Sequence, residues 1–208
     1  MLYRFDEISS TQDVLKEYYR DKSAVFGDAV TAEYQTSGRG RYGHSFHSPR
    51  GRGIYLSILL PYRDTERLTV RAAVAVMRAI EEVTGTATEV KWVNDLLLHG
   101  RKIAGILAEA IVDDEGHPGA VILGVGINLT EPPGGYPEEI RDRAGALLSA
   151  EEKEALSVQA FTMLKRSLTT AVLDKLREMG GTEENAAEYE LYRSRLINPL
   201  DVPPGALD

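Results

Sequence analysis

Arginine and glycine are concentrated in residues 34–63, a stretch that contains no acidic residue. Within it, Arg39 and Arg41 alternate with the glycines of the segment Gly38–Gly43. A guanidinium is a planar fork of donors suited to phosphate or carboxylate, and glycine lets backbone N–H groups approach an anion closely. A solvated basic loop is the simplest interpretation of a charge run. The combination of arginine with glycine favours a loop that binds an anion.

Two other interpretations of this stretch are weaker. Gly38–Gly43 matches the G-x-G-x-x-G pattern of dinucleotide-binding folds, but that pattern should open a helix, and the residues His44–Pro49 that follow do not. His44 and His47 have the spacing of paired metal ligands, yet no carboxylate accompanies them and the segment is not helical. We therefore predict no metal site formed by protein residues. Neither a G-x-S-x-G nucleophile motif nor a P-loop motif occurs in the sequence.

Three further segments carry residues that could take part in binding or catalysis, and each residue has a structural and a functional interpretation. Trp92, the only tryptophan, either fills the core at a strand end or borders a site beside the turn-prone pair that follows. Lys102 opens an apolar strand and either extends to solvent or points into a cavity. The segment Gly124–Asn128 lacks two side chains, so it is either a bulge or a strand against which a ligand lies, with Asn128 contacting a base or phosphate.

The composition limits the class of protein. The chain has 208 residues, 24 Lys plus Arg against 32 Asp plus Glu, a formal charge of −8 and no cysteine. This length predicts one main domain. The missing cysteines exclude disulfides, thiolate metal sites and a cysteine nucleophile. The acidic balance argues against a nucleic-acid partner, and no apolar run reaches the roughly 20 residues of a membrane span. We expect a cytoplasmic protein without nucleic acid or membrane as a partner.

Hydrophobic periodicity and turn residues predict an α+β fold with a mixed, largely antiparallel central sheet flanked by helices. Capping boxes at Ser9/Gln12 and Ser149/Glu152 begin two helices, and His99-Gly100 has the spacing of a two-residue hairpin turn. We expect one domain over residues 1–195 and a proline-rich coil over 196–208. The predicted strands are 2–8, 28–34, 53–60, 89–92, 96–98, 101–110 and 120–129, and the predicted helices are 10–19, 65–83, 149–179 and 182–195.

Taken in order, these segments are similar to one family. The matching pieces are Ser9–Gln12, Ala32–Gln35, Gly38–Gly43, Ser48–Pro49, Ile54–Ser57, Lys91–Asp95, Arg101–Leu107 and Gly124–Asn128. Over about residues 2–195 the chain resembles the catalytic domain of biotin protein ligases. The resemblance implies a fold like the catalytic core of class II aminoacyl-tRNA synthetases. It also implies that biotin and MgATP form biotinyl-5′-AMP and pyrophosphate, after which biotin passes to a lysine of a biotin carboxyl carrier protein domain.

The resemblance also implies roles for individual residues. Lys102 and Arg41 would be catalytic, because bringing two anions together needs positioning and fixed cations. The biotin-binding residues would be Ser10, Thr11, Gln12, Gln35, Gly38, Arg39, Gly40, Arg41, Trp92, Lys102 and Gly105. The residues binding ATP and the adenylate would be Arg39, Arg41, His44, Phe46, Asn94, Asp95, Lys102 and Asn128. Biotin, ATP and Mg²⁺ would be the small molecules bound, and a homodimer is possible.

The sequence departs from the family pattern at three positions. His44 stands where a basic residue is usual, Phe46 where tryptophan is usual and Val93 where proline is usual. We also expect no N-terminal winged helix, and only the proline-rich tail where a C-terminal β domain would begin. The alternatives are a lipoate or octanoate ligase or transferase of related fold, and a biotin-binding module with weak transfer activity.

Overall fold

The computed structural model describes residues 1–112 and 115–207. The tail expected over 196–208 therefore ends on a residue outside the described part of the chain. The strands are β1 (Leu2–Ile8), β2 (Ala29–Gln35), β3 (Gly53–Pro61), β4 (Glu89–Lys91), β5 (Asp95–Leu98), β6 (Arg101–Val112) and β7 (Pro118–Asn128). The helices are α1 (Thr11–Arg20), α2 (Thr65–Thr84), α3 (Ala150–Ala155), α4 (Val158–Gly181) and α5 (Ala186–Ser194). Short 3₁₀ turns cover Arg41–Gly43 and Pro199–Asp201.

The seven strands form a single sheet in the order β1-β2-β3-β7-β6-β5-β4. The β1–β2 pair is parallel, and every other neighbouring pair is antiparallel. This arrangement confirms the predicted α+β fold with a mixed, largely antiparallel sheet. None of the helices in residues 1–112 and 115–207 is both long and apolar enough to cross a membrane.

The two faces of the sheet are covered unequally. Alternate residues of β3, among them Leu56 and Ile58, point into a large core that α2 and α4 complete. On the opposite face, Leu15 of α1 packs against Leu59 and Ile122 in a smaller cluster. Because α1 has ten residues, it covers one end of that face. The other end, where β6 and β7 carry glycines, stays open as a cleft.

The C-terminal helices are tied to α2 by a buried ion pair. Arg71 donates from Nε to Glu188 Oε2 at 2.7 Å, and its other nitrogens donate to Thr182 and to the Glu183 carbonyl. The Arg71 side chain is 1% exposed. A buried charge needs such a complete set of partners, since an unpaired one is strongly unfavourable.

Three helix boundaries differ from those predicted, each because of a capping residue. Ser10, and not Ser9, caps α1 by accepting from the Gln12 backbone N–H. The capping box at Ser149 forms, but the helix that it begins ends at Ala155, since Ser157 caps a separate helix, α4. Asn185 caps the final helix, which therefore begins at Ala186 instead of residue 182.

The predicted hairpin between β5 and β6 is confirmed. Both turn residues have positive φ, 51° at His99 and 74° at Gly100, as a two-residue turn of this kind requires. The residues after α5 pack onto the same unit: the Ile197 backbone N–H donates to the Val90 carbonyl, and Leu207 is buried in the large core.

Candidate active site

A cleft opens at the N-terminal end of α1, between the loop of residues 38–46 and the strands β3, β6 and β7. The space inside it is about 460 Å³, including the part that is open to solvent. The lining combines polar side chains, glycines and three cationic groups. The lining residues are Ser10, Thr11, Gln12, Gln35, Arg39, Gly40, Arg41, Phe46, Tyr55, Leu56, Asn94, Lys102, Gly105, Ile106, Leu107, Gly124, Val125 and Gly126.

Glycines form the floor of the cleft. Gly105 of β6 pairs with Gly126 of β7, and Gly124 lies two residues before Gly126 on the same face. A Cβ at Gly126 would lie 2.5 Å from the Phe46 ring, and one at Gly124 would lie 3.2 Å from the Gln12 side chain. The glycines therefore make the room that these two side chains occupy, and this stretch of β7 borders the pocket. The second reading of Gly124–Asn128, a ligand against the strand with Asn128 contacting a base or phosphate, stays a prediction.

One end of the cleft is a buried polar network. Gln35 Oε1 accepts from the Thr11 backbone N–H at 2.8 Å, and Gln35 Nε2 donates to Ser48 Oγ at 2.8 Å. Thr11 Oγ1 lies 2.8 Å from Ser57 Oγ. These bonds fix the Gln35 amide, because buried polar groups need partners on both sides. This end is suited to a ligand with its own donors and acceptors.

Gln12 leaves one acceptor free in the same region. Its Nε2 donates to the Leu107 carbonyl at 3.3 Å, whereas its buried Oε1 has no hydrogen-bond partner among residues 1–112 and 115–207. An unsatisfied buried acceptor costs about 1–3 kcal/mol. A ligand N–H at this position would remove that cost.

A β-bulge turns Lys102 into the cleft. On β5, Leu96 pairs with Ala104 but Leu97 pairs with Lys102, so Ile103 has no residue opposite it. Ile103 and Ala104 both lie in the helix-covered core, which places Lys102 and Gly105 on the cleft face together. A Cβ at Gly105 would lie 3.2 Å from Lys102 Nζ. Of the two readings of Lys102, the structure supports the one that points into a cavity.

Arg41 also reaches the cleft. Its NH1 donates to Asn94 Oδ1 at 3.3 Å and its NH2 to the Tyr42 hydroxyl at 3.0 Å. Asn94 is itself held by β6, since its Nδ2 donates to the Ile106 carbonyl at 3.0 Å. Among the residues that the structure describes, no carboxylate forms a salt bridge with Arg41. Its charge is therefore available to a ligand anion.

Arg39 borders the cleft, but its guanidinium is paired with two carboxylates. Its two terminal nitrogens contact Asp13 of α1 and Glu109 of β6. These carboxylates raise the pKa of Arg39, chiefly through the hydrogen bond with Asp13.

Five of the predicted site residues do not line the cleft. Gly38 is buried beside the polar network, where a Cβ would lie 2.6 Å from Ser48 Oγ, whereas the His44 side chain is exposed. Asp95 forms an ion pair with Lys102, with Oδ1 at 2.5 Å from Nζ, and is not itself part of the lining. Trp92 packs against the core and meets Tyr192 edge-on at 6.0 Å, so the first reading, a core tryptophan, describes it. Asn128 donates to the Gly145 carbonyl at 2.9 Å.

Residues far along the chain form hydrogen bonds with the backbone segments that carry Asn94 and Lys102. The Tyr192 hydroxyl of α5 donates to the Val93 carbonyl at 2.9 Å, directly before Asn94. The Lys102 backbone N–H donates to the Arg143 carbonyl at 2.7 Å, and the Gly145 N–H donates back to the Lys102 carbonyl. The segment at residues 143–145 therefore acts as a short extra pairing that holds the start of β6.

Sequence reasoning gave no role to Tyr55. It lies on the cleft face of β3, packs edge-on against Phe46 and donates to the Pro49 carbonyl at 2.8 Å. Burial raises its pKa, so it remains a neutral donor. The alternation that would have revealed Tyr55 is hidden, because β3 is buried on both faces.

Comparison with solved structures places this fold in a class. The biotin protein ligase of Aquifex aeolicus, solved in complex with biotin and ATP, superposes with a TM-score of 0.74 and 27% sequence identity. The match covers 94% of this chain and 78% of that chain. The fold is that of biotin protein ligase catalytic domains, as the sequence predicted.

Sequence comparison gives the family. The profile of the biotin/lipoate A/B protein ligase family matches residues 4–128, and the chain belongs to this family. The bifunctional ligase/repressor BirA of Bacillus subtilis is 41% identical over 149 residues, which are 70% of this chain and 45% of that protein. The biotin–[acetyl-CoA-carboxylase] ligase of Mycobacterium tuberculosis is 36% identical over 132 residues, 60% of this chain and 46% of that protein. The chain thus spans about half the length of these curated relatives.

Proposed function

We propose that this chain activates biotin with ATP to biotinyl-5′-AMP and then transfers biotin to a lysine of a biotin carboxyl carrier protein domain. One observation carries the proposal: a single cleft joins a buried polar end at Thr11 and Gln35 to a cationic end at Lys102 and Arg41. Biotin has a neutral ureido ring at one end and a carboxylate at the other, and these two ends complement the cleft. The names of the relatives support the same activity.

The ureido ring of biotin has N–H donors and a carbonyl acceptor. We assign it to the polar end, with Ser10 and Thr11 contributing and with the free Gln12 Oε1 accepting one N–H. A site built with buried polar groups discriminates strongly against a ligand that leaves them unpaired. The dithiolane ring of lipoate and the alkyl chain of octanoate cannot pair them. The alternative of a lipoate or octanoate enzyme is therefore disfavoured.

In the first step, a carboxylate oxygen of biotin attacks the α-phosphorus of ATP, and pyrophosphate leaves. The Lys102 ammonium and the Arg41 guanidinium would reduce repulsion between the two anions and stabilise the charge that develops in transit. In the second step, the neutral carrier lysine attacks the acyl carbon, AMP leaves and the amine loses its proton. No covalent enzyme intermediate is needed.

Mg²⁺ is assigned to the nucleotide and not to a protein cage. Within the described part of the chain, no three His, Asp or Glu residues come together as metal ligands. Mg²⁺ usually binds through substrate phosphates with one or two carboxylates and waters, and Asp95 is the acid next to Lys102 that could contribute. The roles of Asn128 and His44 at the nucleotide, those of Gly38 and Trp92 at biotin, a cytoplasmic location and a homodimer stay predictions.

The test is ATP–pyrophosphate exchange by the purified chain with biotin, lipoate or octanoate. We expect exchange with biotin alone. Exchange with lipoate or octanoate instead would contradict the proposed substrate. Biotin binding by calorimetry without any exchange would favour the binding module. Transfer is then measured by incubating chain, biotin and MgATP with an isolated carrier domain and following its gain in mass.

A further inference from the structure

Arg39 joins three separate elements through one guanidinium. Its NH1 lies 2.5 Å from Asp13 Oδ1 in the first turn of α1, and its NH2 lies 2.9 Å from Glu109 Oε1 on β6. Glu109 is four residues beyond Gly105 on β6 and so points from the same face of the sheet. The side chain of Arg39 is 40% exposed, so these pairs lie at the rim of the cleft and not in its interior.

The loop that carries Arg39 is closed on itself. Arg39 and Ser45 form an antiparallel bridge, the Gly40 N–H donates to the His44 carbonyl at 2.7 Å, and the Phe46 N–H donates to the Gly38 carbonyl at 2.9 Å. These bonds make residues 38–46 a small hydrogen-bonded hairpin. Because Arg39 and Arg41 lie on this one hairpin, we expect a restraint on Arg39 to restrain Arg41 as well.

The hairpin also carries Arg41 and Phe46, whose side chains face the cleft. Where these side chains lie depends on where the hairpin lies. Arg41 reaches Asn94, and Phe46 lies over Gly126 with little room to spare. The first contact is a 3.3 Å hydrogen bond and the second an apolar contact, and at the base of the hairpin Ser48 Oγ donates to the Phe46 carbonyl at 3.0 Å. The two carboxylates at Arg39 are the charged attachments of the hairpin to the rest of the fold.

We propose that Arg39 is a positioning residue: it clamps the hairpin of residues 38–46 onto α1 and β6, so that Arg41 and Phe46 are held at the cleft, and it does not itself bind the ligand. This replaces the direct contact with biotin and ATP that the resemblance implied for Arg39. The interpretation of the ligand-binding measurements rests on the proposed function. The measurement of loop motion does not depend on it.

The two possible roles of Arg39 predict opposite effects when its acidic partners are neutralised. If Arg39 is a clamp, Glu109→Gln and Asp13→Asn loosen the hairpin and weaken the binding of ATP and biotin. If Arg39 binds the ligand anion, the same substitutions free its guanidinium from competing carboxylates and strengthen ATP binding. Single exposed ion pairs are weak, so the double variant is included to enlarge the effect.

Loop motion is measured without ligand, as the rate of trypsin cleavage after Arg41, next to the exposed Tyr42. Fragments are identified by mass. We expect Glu109→Gln and Asp13→Asn to raise this rate about threefold to tenfold, as the loss of one or two such contacts implies. Glu7→Gln is the matched control, because Arg50 is likewise held by two carboxylates, Asp6 and Glu7, away from the cleft. Its rate should equal that of the unmodified chain.

Ligand binding is measured on the same proteins by calorimetry and by exchange kinetics. The clamp predicts a higher Kd and KM for ATP and biotin with kcat nearly unchanged, and partial function in Arg39→Lys, which can keep one of the two contacts. Unchanged cleavage rates, or tighter ATP binding in Glu109→Gln, would overturn it. If the unmodified chain binds neither biotin nor ATP, the proposed function fails, while the cleavage comparison still decides whether the clamp exists.

Discussion

Lys102 and Asp95 form an ion pair across neighbouring strands, with Nζ 2.5 Å from Oδ1. Asp95 begins β5 immediately after Asn94, and Lys102 is the residue that the bulge turns toward the cleft. The lysine is therefore held in a defined position, next to the amide that also holds Arg41. Two cations from distant parts of the sequence are thus placed together at one end of the cleft.

Lys102→Ala should reduce biotin-dependent ATP–pyrophosphate exchange by about a hundredfold to a thousandfold, the usual effect of removing one transition-state donor. Because Lys102 lies in the cleft and not in the core, thermal unfolding should change little. Lys165→Ala is the control, since Lys165 is also ion-paired, with Glu33 at 2.6 Å, but away from the cleft. Full exchange activity in Lys102→Ala would refute the role given to this lysine.

Gly126→Ala should impair ligand binding by moving Phe46. The new Cβ would lie 2.5 Å from the ring, so the ring must shift into the space of the cleft. We expect biotin affinity measured by calorimetry to fall about tenfold, and stability to fall by about 1–3 kcal/mol from overpacking. Gly181→Ala serves as control, because no neighbouring atom in the described part of the chain lies within 4 Å of its Cβ position. Adding Phe46→Leu should restore part of the affinity, and unchanged affinity in Gly126→Ala would contradict this picture.

Tyr192→Phe should affect the site although Tyr192 does not line it. The change removes the hydrogen bond to the Val93 carbonyl and with it one support of the turn that carries Asn94 and Asp95. We expect a loss of about 0.5–1.5 kcal/mol in the free energy of unfolding together with a raised KM for ATP. In Tyr189→Phe, which loses a bond to Glu184 on the outer surface, KM should stay the same. Equal KM values in both variants would show that α5 stabilises the fold without positioning the turn.

Arg71→Met should be among the most destabilising substitutions, because it leaves the Glu188 carboxylate buried without its partner. We expect a loss of about 3–5 kcal/mol, measured by urea unfolding. The double variant Arg71→Met/Glu188→Leu should recover most of this loss, as an apolar pair replaces the charges. Arg67→Met, at the exposed pair with Glu184, should cost less than about 1 kcal/mol. A similar loss in both arginine variants would contradict the importance of burial.

Glu184 should contribute stability that depends on pH. Burial opposes its ionisation, but hydrogen bonds from Tyr189 and Arg67 outweigh this effect and lower its pKa below the usual 4.5. A carboxyl with a lowered folded pKa stabilises the protein fully above its unfolded pKa and loses that contribution as pH falls through the folded value. Glu184→Gln should therefore be less stable than the unmodified chain near neutral pH. Urea unfolding should show this difference shrinking below pH 4.5, and a difference independent of pH would refute the assignment.

Local patterns made much of the fold predictable. Strand alternation, the hairpin residues His99 and Gly100 and the cap at Ser149 act over a few residues, so the sequence shows them directly. The helix break at Ser157 was missed because a serine inside an apolar helical pattern is equally compatible with a continuous helix and with a new cap. The resemblance implied the fold class but not the order of the strands, because that order depends on pairing between segments distant in the sequence.

The sequence predicted most of the residues that line the candidate cleft, but not the contacts that hold them in place. Most residues implied by the resemblance, such as Thr11 and Gln35, do meet in one cleft. The partners of Arg39, in contrast, lie 26 and 70 positions away, and no local pattern links them. The contact of Tyr192 spans 99 positions and comes from beyond the residues matched by the family profile. Such contacts are set by the sheet order, which only the folded chain reveals.

The bulge at Ile103 has a consequence for how this sequence tolerates insertions and deletions. Lys102 and Gly105 are three positions apart, so in a regularly paired strand of the same length they would point to opposite faces, and the Lys102 ammonium would face the apolar helices. Deleting Ile103 would leave the two residues two positions apart, and plain alternation would then keep the ammonium on the cleft face. The charge of the cleft therefore depends on the agreement between chain length and pairing at this point, and not on residue identity alone.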